Sequence, residues 1–71
     1  MIFSANGKDY RVFRVESIHE VDTFVECRNA SSNELQCEIR IDADRRAHVM
    51  PSSIEIDLAI FPALVEYVNG L

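Results

Sequence analysis

Two cysteines, Cys27 and Cys37, are the residues of this chain whose type most directly invites chemistry. Facing each other across a hairpin they would form a redox pair. At inward positions of an apolar face they act instead as small hydrophobes, and two cysteines without a CxxC spacing make no disulfide framework. A zinc site needs about four ligands. His19 reads as a turn residue and His48 falls on the opposite strand face from the cysteines, so no such set assembles and no metal or cofactor is expected.

Nucleophilic catalysis needs a Ser or Cys beside a base and an orienting acid. The serines (Ser4, Ser17, Ser31, Ser32, Ser52, Ser53) fall in turns, caps or an exposed strand position, and pairing His19 with Glu16 or Glu20 carries no specificity. Asp42-Ala43-Asp44 resembles a fragment of a calcium loop but lacks its glycine and its distal bidentate acid. A turn explains it better. The chain is therefore expected not to be an enzyme, with a small enzyme or metal protein kept as the last alternative.

The elements that would position any site are more legible. Asn6-Gly7 between apolar flanks is a type I′ hairpin signal, because both central residues of that turn need φ > 0. It sets Ala5 opposite Lys8, Phe3 opposite Tyr10 and Met1 opposite Val12, with strands over Ile2–Ala5 and Lys8–Val15. Next, Val21, Thr23, Val25 and Cys27 alternate with polar residues or Phe24, as Leu35, Cys37, Ile39 and Ile41 do after the turn. Opposed side chains share a face, so pairing Cys27 with Cys37, Val25 with Ile39 and Thr23 with Ile41 keeps all eight on one side. Asp42–Arg45 reads as a turn, followed by a short strand whose Ala47 and Val49 extend that face. The second strand is ambiguous: Tyr10 and Val12 support one face, Phe13 and Val15 the other, through a bulge or a sheet buried on both sides.

The last twenty residues, "SSIEIDLAIFPALVEYVNGL", carry three charged side chains, Glu55, Asp57 and Glu66. As one helix they have a Ser52/Glu55 capping box and a Gly70 C′ residue, but Ile56, Ile60, Ala63 and Tyr67 form a second apolar face and Pro62 is interior. As a strand and then a helix, Ile54, Ile56, Leu58 and Ile60 alternate with acids, and Pro62 enters the first helical turn. Both readings share a helix over Pro62–Asn69. The expected fold is α+β: an antiparallel β-meander of five strands, or six if residues 53–61 add one, with a C-terminal α-helix, in a single domain of 71 residues.

Surfaces then carry the functional expectation. The even face of the central hairpin presents Phe24, Glu26, Arg28, Glu38 and Arg40, with Tyr10 and Arg14 expected beside them. Aromatics and arginine are enriched at interface hot spots. The plainer alternative is a solvated ladder in which these charges pair across strands. If residues 53–61 are helical, Ile56, Ile60 and Tyr67 need cover from another molecule and dimerisation gains weight.

The net charge of −5, twelve acids against seven bases, argues against a large phosphate-binding footprint. Its distribution is uneven: +2 over residues 1–15, −6 over 16–44 and −1 over 45–71. A domain this small has a limited core, which favours association. No apolar run approaches the roughly 20 residues of a membrane span, and the N-terminus lacks signal-peptide character, so a cytoplasmic location is expected. The expectation is a small non-catalytic protein-binding module (adaptor, regulator or inhibitor) that forms a homodimer, with interface candidates Tyr10, Arg14, Phe24, Arg28, Arg40, Ile56, Ile60 and Tyr67. A nucleic-acid-binding regulator using the same aromatic and Arg face is the alternative.

Overall fold

Asn6 and Gly7 adopt φ of 49° and 75°, the left-handed pair that a type I′ turn requires, and so join β1 (Ile2–Ala5) to β2 (Lys8–Val15). The register is the expected one. Ala5 pairs with Lys8 and Phe3 with Tyr10, while Met1 and Val12 exchange backbone hydrogen bonds of 2.9 and 2.8 Å. The structure, a computed structural model, describes residues 1–16, 21–52 and 55–71.

β3 (Thr23–Asn29) and β4 (Leu35–Ile41) pair with Cys27 opposite Cys37, Val25 opposite Ile39 and Thr23 opposite Ile41. At the turn end the register shifts by one residue, so that Leu35 pairs with Arg28. The cause is local: Asn29 Oδ1 accepts from the N–H groups of Ser31 and Ser32 at 2.8 and 3.0 Å, and Asn33 turns left-handed at φ 63°. Val21 precedes β3 and is 89% exposed, so the inner face holds fewer than the eight expected residues.

Asp42 builds the next turn by accepting from the N–H groups of Asp44 and Arg46 at 2.9 and 3.0 Å, which leads into β5 (Ala47–Pro51). The five strands form one antiparallel sheet in the order β1-β2-β3-β4-β5.

The C-terminal segment follows neither expectation in full. Glu55–Asp57 is irregular, and among the described residues there is no sixth strand; Ser53 and Ile54 lie outside them. Asp57 Oδ1 accepts from Ala59 N–H at 2.9 Å and starts a 3₁₀ turn, Leu58–Ile60, which runs into α1 (Phe61–Asn69). Pro62 sits in the first turn of α1, where its missing N–H costs nothing. Gly70 stays at φ −85° rather than turning left-handed, and its N–H reaches Glu66 and Tyr67 carbonyls at 3.2 Å.

The helical segment crosses the inner face of the sheet. Its start is tied to the first hairpin by Asn6 Nδ2 donating to Asp57 Oδ2 at 2.6 Å, and its end meets the last one through Arg45 Nη2 and the Leu71 carbonyl at 3.4 Å. The core between helix and sheet consists of Tyr10, Val12, Val25, Cys27, Cys37, Ile39, Ile41, Ile60 and Leu64. Ile56, Phe61, Tyr67 and Val68 pack partly against it, while Leu58 and Val65 face outward at 77% and 57% exposure. The apolar surplus of the last twenty residues is thereby split. Ile60 and Leu64, four positions apart, share the inward side, and Leu58, two positions before Ile60, falls on the outward one.

Candidate protein-binding face

Because Val12, Val25, Cys27, Cys37 and Ile39 point into the core, their strand neighbours point away from it. The pairing arranges these outward residues in rows across the sheet. One row runs Arg11, Arg28, Leu35; the next Phe13, Glu26, Glu38, Met50; the third Val15, Phe24, Arg40, His48. Phe13 and Phe24 are diagonal neighbours. Among the described residues both helical segments lie on the inner side, so no element covers this outer face.

The arginines are fixed rather than free in solvent. Arg11 lies over the Phe13 ring, 5.1 Å from its centroid, and donates to Asn33 Oδ1 at 2.7 Å. Arg28 Nε donates to Glu26 Oε1 at 2.7 Å along its own strand, and its Nη1 reaches the Asn33 carbonyl at 2.9 Å. Arg40 Nη1 pairs with Asp22 Oδ2 at 2.8 Å. The cross-strand charge ladder expected from sequence does not form. Glu26 faces Glu38, and Arg40 faces Phe24 and His48, so the ion pairs run along the strand and into the preceding loop instead.

His48 Nε2 lies 2.8 Å from Asp42 Oδ2. That bond, with the N–H groups of Arg46 and Asp44, holds the Asp42 carboxyl below its usual value.

Two expected interface residues belong to the core. Tyr10 pairs with Asn29 on the covered face, stacks on Phe3 with ring centroids 5.4 Å apart, and is 4% exposed. Ile60 is fully buried under the sheet. Neither can touch a partner. Arg14 is exposed but sits opposite Val25, on the other side of the sheet from Phe24, while Ile56 and Tyr67 are half-buried against the core. Phe24, Arg28 and Arg40 do lie together. Sequence reasoning missed Arg11, Phe13, Val15 and Met50, although the doubled apolar pattern of β2 was visible. Which face joined Phe24 depends on the β2–β3 register, which a long connection leaves open.

Cys27 and Cys37 are thiols at 1% exposure, directly opposite each other beneath the helix. The hydrogen bond with Cys37, and then burial, push the Cys27 thiol up, so it keeps its proton. Among the described residues no group of three or more His, Cys, Asp or Glu side chains converges as a metal site would require. No described helix is long and apolar enough to cross a membrane.

A second surface lies on the inner side. α1 leaves the β5 edge of the sheet uncovered, and a cleft of about 200 Å³ opens there between Ile39, Val49, Leu64, Val65 and Val68, with Arg45 at its rim. Compared with known proteins, the chain matches no family model, no curated protein and no solved structure.

Proposed function

We propose that this chain is a small non-catalytic protein-binding module, an adaptor, regulator or inhibitor, and that it engages its partner through the outer face of the sheet. One observation carries the reading: β2 is apolar on both sides, and the described structure covers only one of them. Phe13, Val15 and Phe24 form an apolar patch on β2 and β3 bordered by Arg11, Arg28 and Arg40, while Met50 stands apart on β5 beyond Glu38. Aromatics, Met and Arg are the residue types enriched at interface cores. The Arg11 guanidinium lies over the Phe13 ring, and the fixed geometry of the arginines limits the entropy lost on docking.

The test compares partners captured from the native host by the wild type and by a Phe13→Ala/Phe24→Ala double variant. Both positions face away from the core, so the variant is expected to keep the wild-type circular dichroism spectrum while losing the captured partner. Capture of the same partner by a folded double variant refutes the reading.

Stacking of single-stranded nucleic acid on Phe13 and Phe24 is the competing use of this face. Arg28 and Arg40 are each held by a carboxylate and the net charge is −5, which leaves little for phosphates. Salt-sensitive oligonucleotide binding, abolished by Arg28→Ala and Arg40→Ala, would replace the protein-binding reading.

A further inference from the structure

β5 is an edge strand, and the direction of its backbone groups follows from two hydrogen bonds. Asp42 N–H donates to the Arg46 carbonyl at 3.0 Å, and Ser52 N–H to the Gln36 carbonyl at 3.1 Å. The even-numbered residues of β5, His48 and Met50, therefore bond to β4, because hydrogen-bonded pairs alternate along an antiparallel ladder. The N–H and C=O groups of Ala47 and Val49 point the other way, and among the described residues nothing pairs with them. Natural edges are protected by charge, proline or bulges. The run Ala47–Met50 has no Lys, Arg or acid, and Pro51 arrives only at its end. All five residues are exposed, Val49 at 47% and Met50 at 38%.

We propose that β5 pairs antiparallel with β5 of a second copy of this chain, about a two-fold axis perpendicular to the sheet at His48. In that register Ala47 of each copy is opposite Val49 of the other, and all four outward groups per copy are satisfied at once. His48 meets its symmetry mate on the outer side as a non-hydrogen-bonded pair, and Arg46 lies opposite Met50 of the second copy.

Two further observations fit a copy of this chain rather than another strand. Across Met50 lies Glu38, an acid that faces Glu26 and has no ion pair among the described residues. Arg46, also without one there, is brought toward it from the second copy, which supplies the missing charge complement twice by symmetry. On the inner side the axis sets two α1/β5 clefts side by side, so that the open flank of each, at Val49 and Val65, faces its counterpart. β1, the other edge, is shorter at four residues, and the α1/β5 cleft lies at the opposite edge of the sheet from it. This surface is separate from the Phe13/Phe24 patch, and either reading can fail without the other.

The experiment is sedimentation equilibrium of the full chain, with amide exchange followed by NMR. The wild type is expected to dimerise and to protect the Ala47 and Val49 amides as concentration rises. Val49→Pro removes an N–H that β4 does not use, and should yield a folded monomer. Glu38→Arg and Arg46→Glu should each weaken dimerisation about tenfold, a 1.4 kcal/mol change, and the double exchange should restore it. His48→Cys should crosslink symmetrically under mild oxidation, since such a pair stands about 4.5 Å apart at Cα. A wild type that stays monomeric overturns the proposal, as does a dimer that survives Val49→Pro or that the double exchange fails to rescue.

Discussion

Replacing Leu64 by Ala tests whether one helical contact holds the inner core together. α1 is nine residues long, too short to persist alone in water, so its helicity depends on docking. Leu64 is 1% exposed and, with Ile60, is one of the two helical side chains in the core. Truncating a buried Leu to Ala costs about 2–5 kcal/mol, rising with the void left behind. Leu64 also lines the cleft beside β5, so the void opens onto existing space that water or neighbouring side chains can enter. That places the expected loss near the lower end, about 3 kcal/mol. At roughly 0.05–0.15 kcal/mol per residue, a chain of 71 residues has about 4–11 kcal/mol in total, so the loss is a large share of it. Val65→Ala is the control. Val65 is 57% exposed and Ala is the better helix former, so a change within about 0.5 kcal/mol is expected. Urea unfolding followed by far-UV circular dichroism, at equal and dilute protein concentration, measures both. If Leu64→Ala costs less than about 1 kcal/mol, or no more than Val65→Ala, the helix is not docked as described.

Gly7→Ala probes the first turn: no atom lies within 4 Å of the added Cβ, so the expected cost of about 1 kcal/mol is purely that of φ 75° for an L residue. An unchanged urea midpoint would contradict the type I′ geometry. Asp42 should titrate below 3.8, because His48, Arg46 and Asp44 bond its carboxylate. A lowered folded-state value adds stability above 3.8 that is lost as pH falls through the folded value. Carboxyl NMR should find that midpoint and see it rise in His48→Ala; a wild-type midpoint at or above 3.8 refutes the bond network. Both thiols should react slowly with an aromatic disulfide reagent in the native state and quickly in denaturant, and fast native labelling would contradict their burial.

The hairpins were legible because their determinants are local. Asn6-Gly7 specifies its own turn, and the alternation of Val25 and Cys27 with Cys37 and Ile39 fixes a register that a slip of one would ruin. The helix from Pro62 onward was legible for the same reason. What escaped was set by distance. The 3₁₀ turn at Leu58–Ile60 depends on Asp57, whose carboxylate bonds both Ala59 in its own turn and Asn6 across the fold. Tyr10 went to the core, not to the side of Phe24, because β2 pairs its even residues with the odd residues of β3. Nothing local to either strand dictates that choice.

β2 connects these points. Its inward residues Tyr10 and Val12 are covered by chain that comes some fifty residues later, whereas among the described residues its outward Phe13 and Val15 have only neighbouring side chains over them. A one-sided antiparallel sheet normally turns polar residues to water. Here the residues that break the pattern are large, and they are adjacent across strands to Phe24 rather than scattered singly. Burying Phe13 and Val15 inward would require slipping β2 by one position, which would expose Tyr10 and Val12 and break the stack of Tyr10 on Phe3. No register of β2 hides both sets beneath a single nine-residue helix. The apolar demand of this strand therefore exceeds the cover that the described structure supplies, and that excess, more than any single residue, is the physical ground for the proposal that the outer face meets a partner.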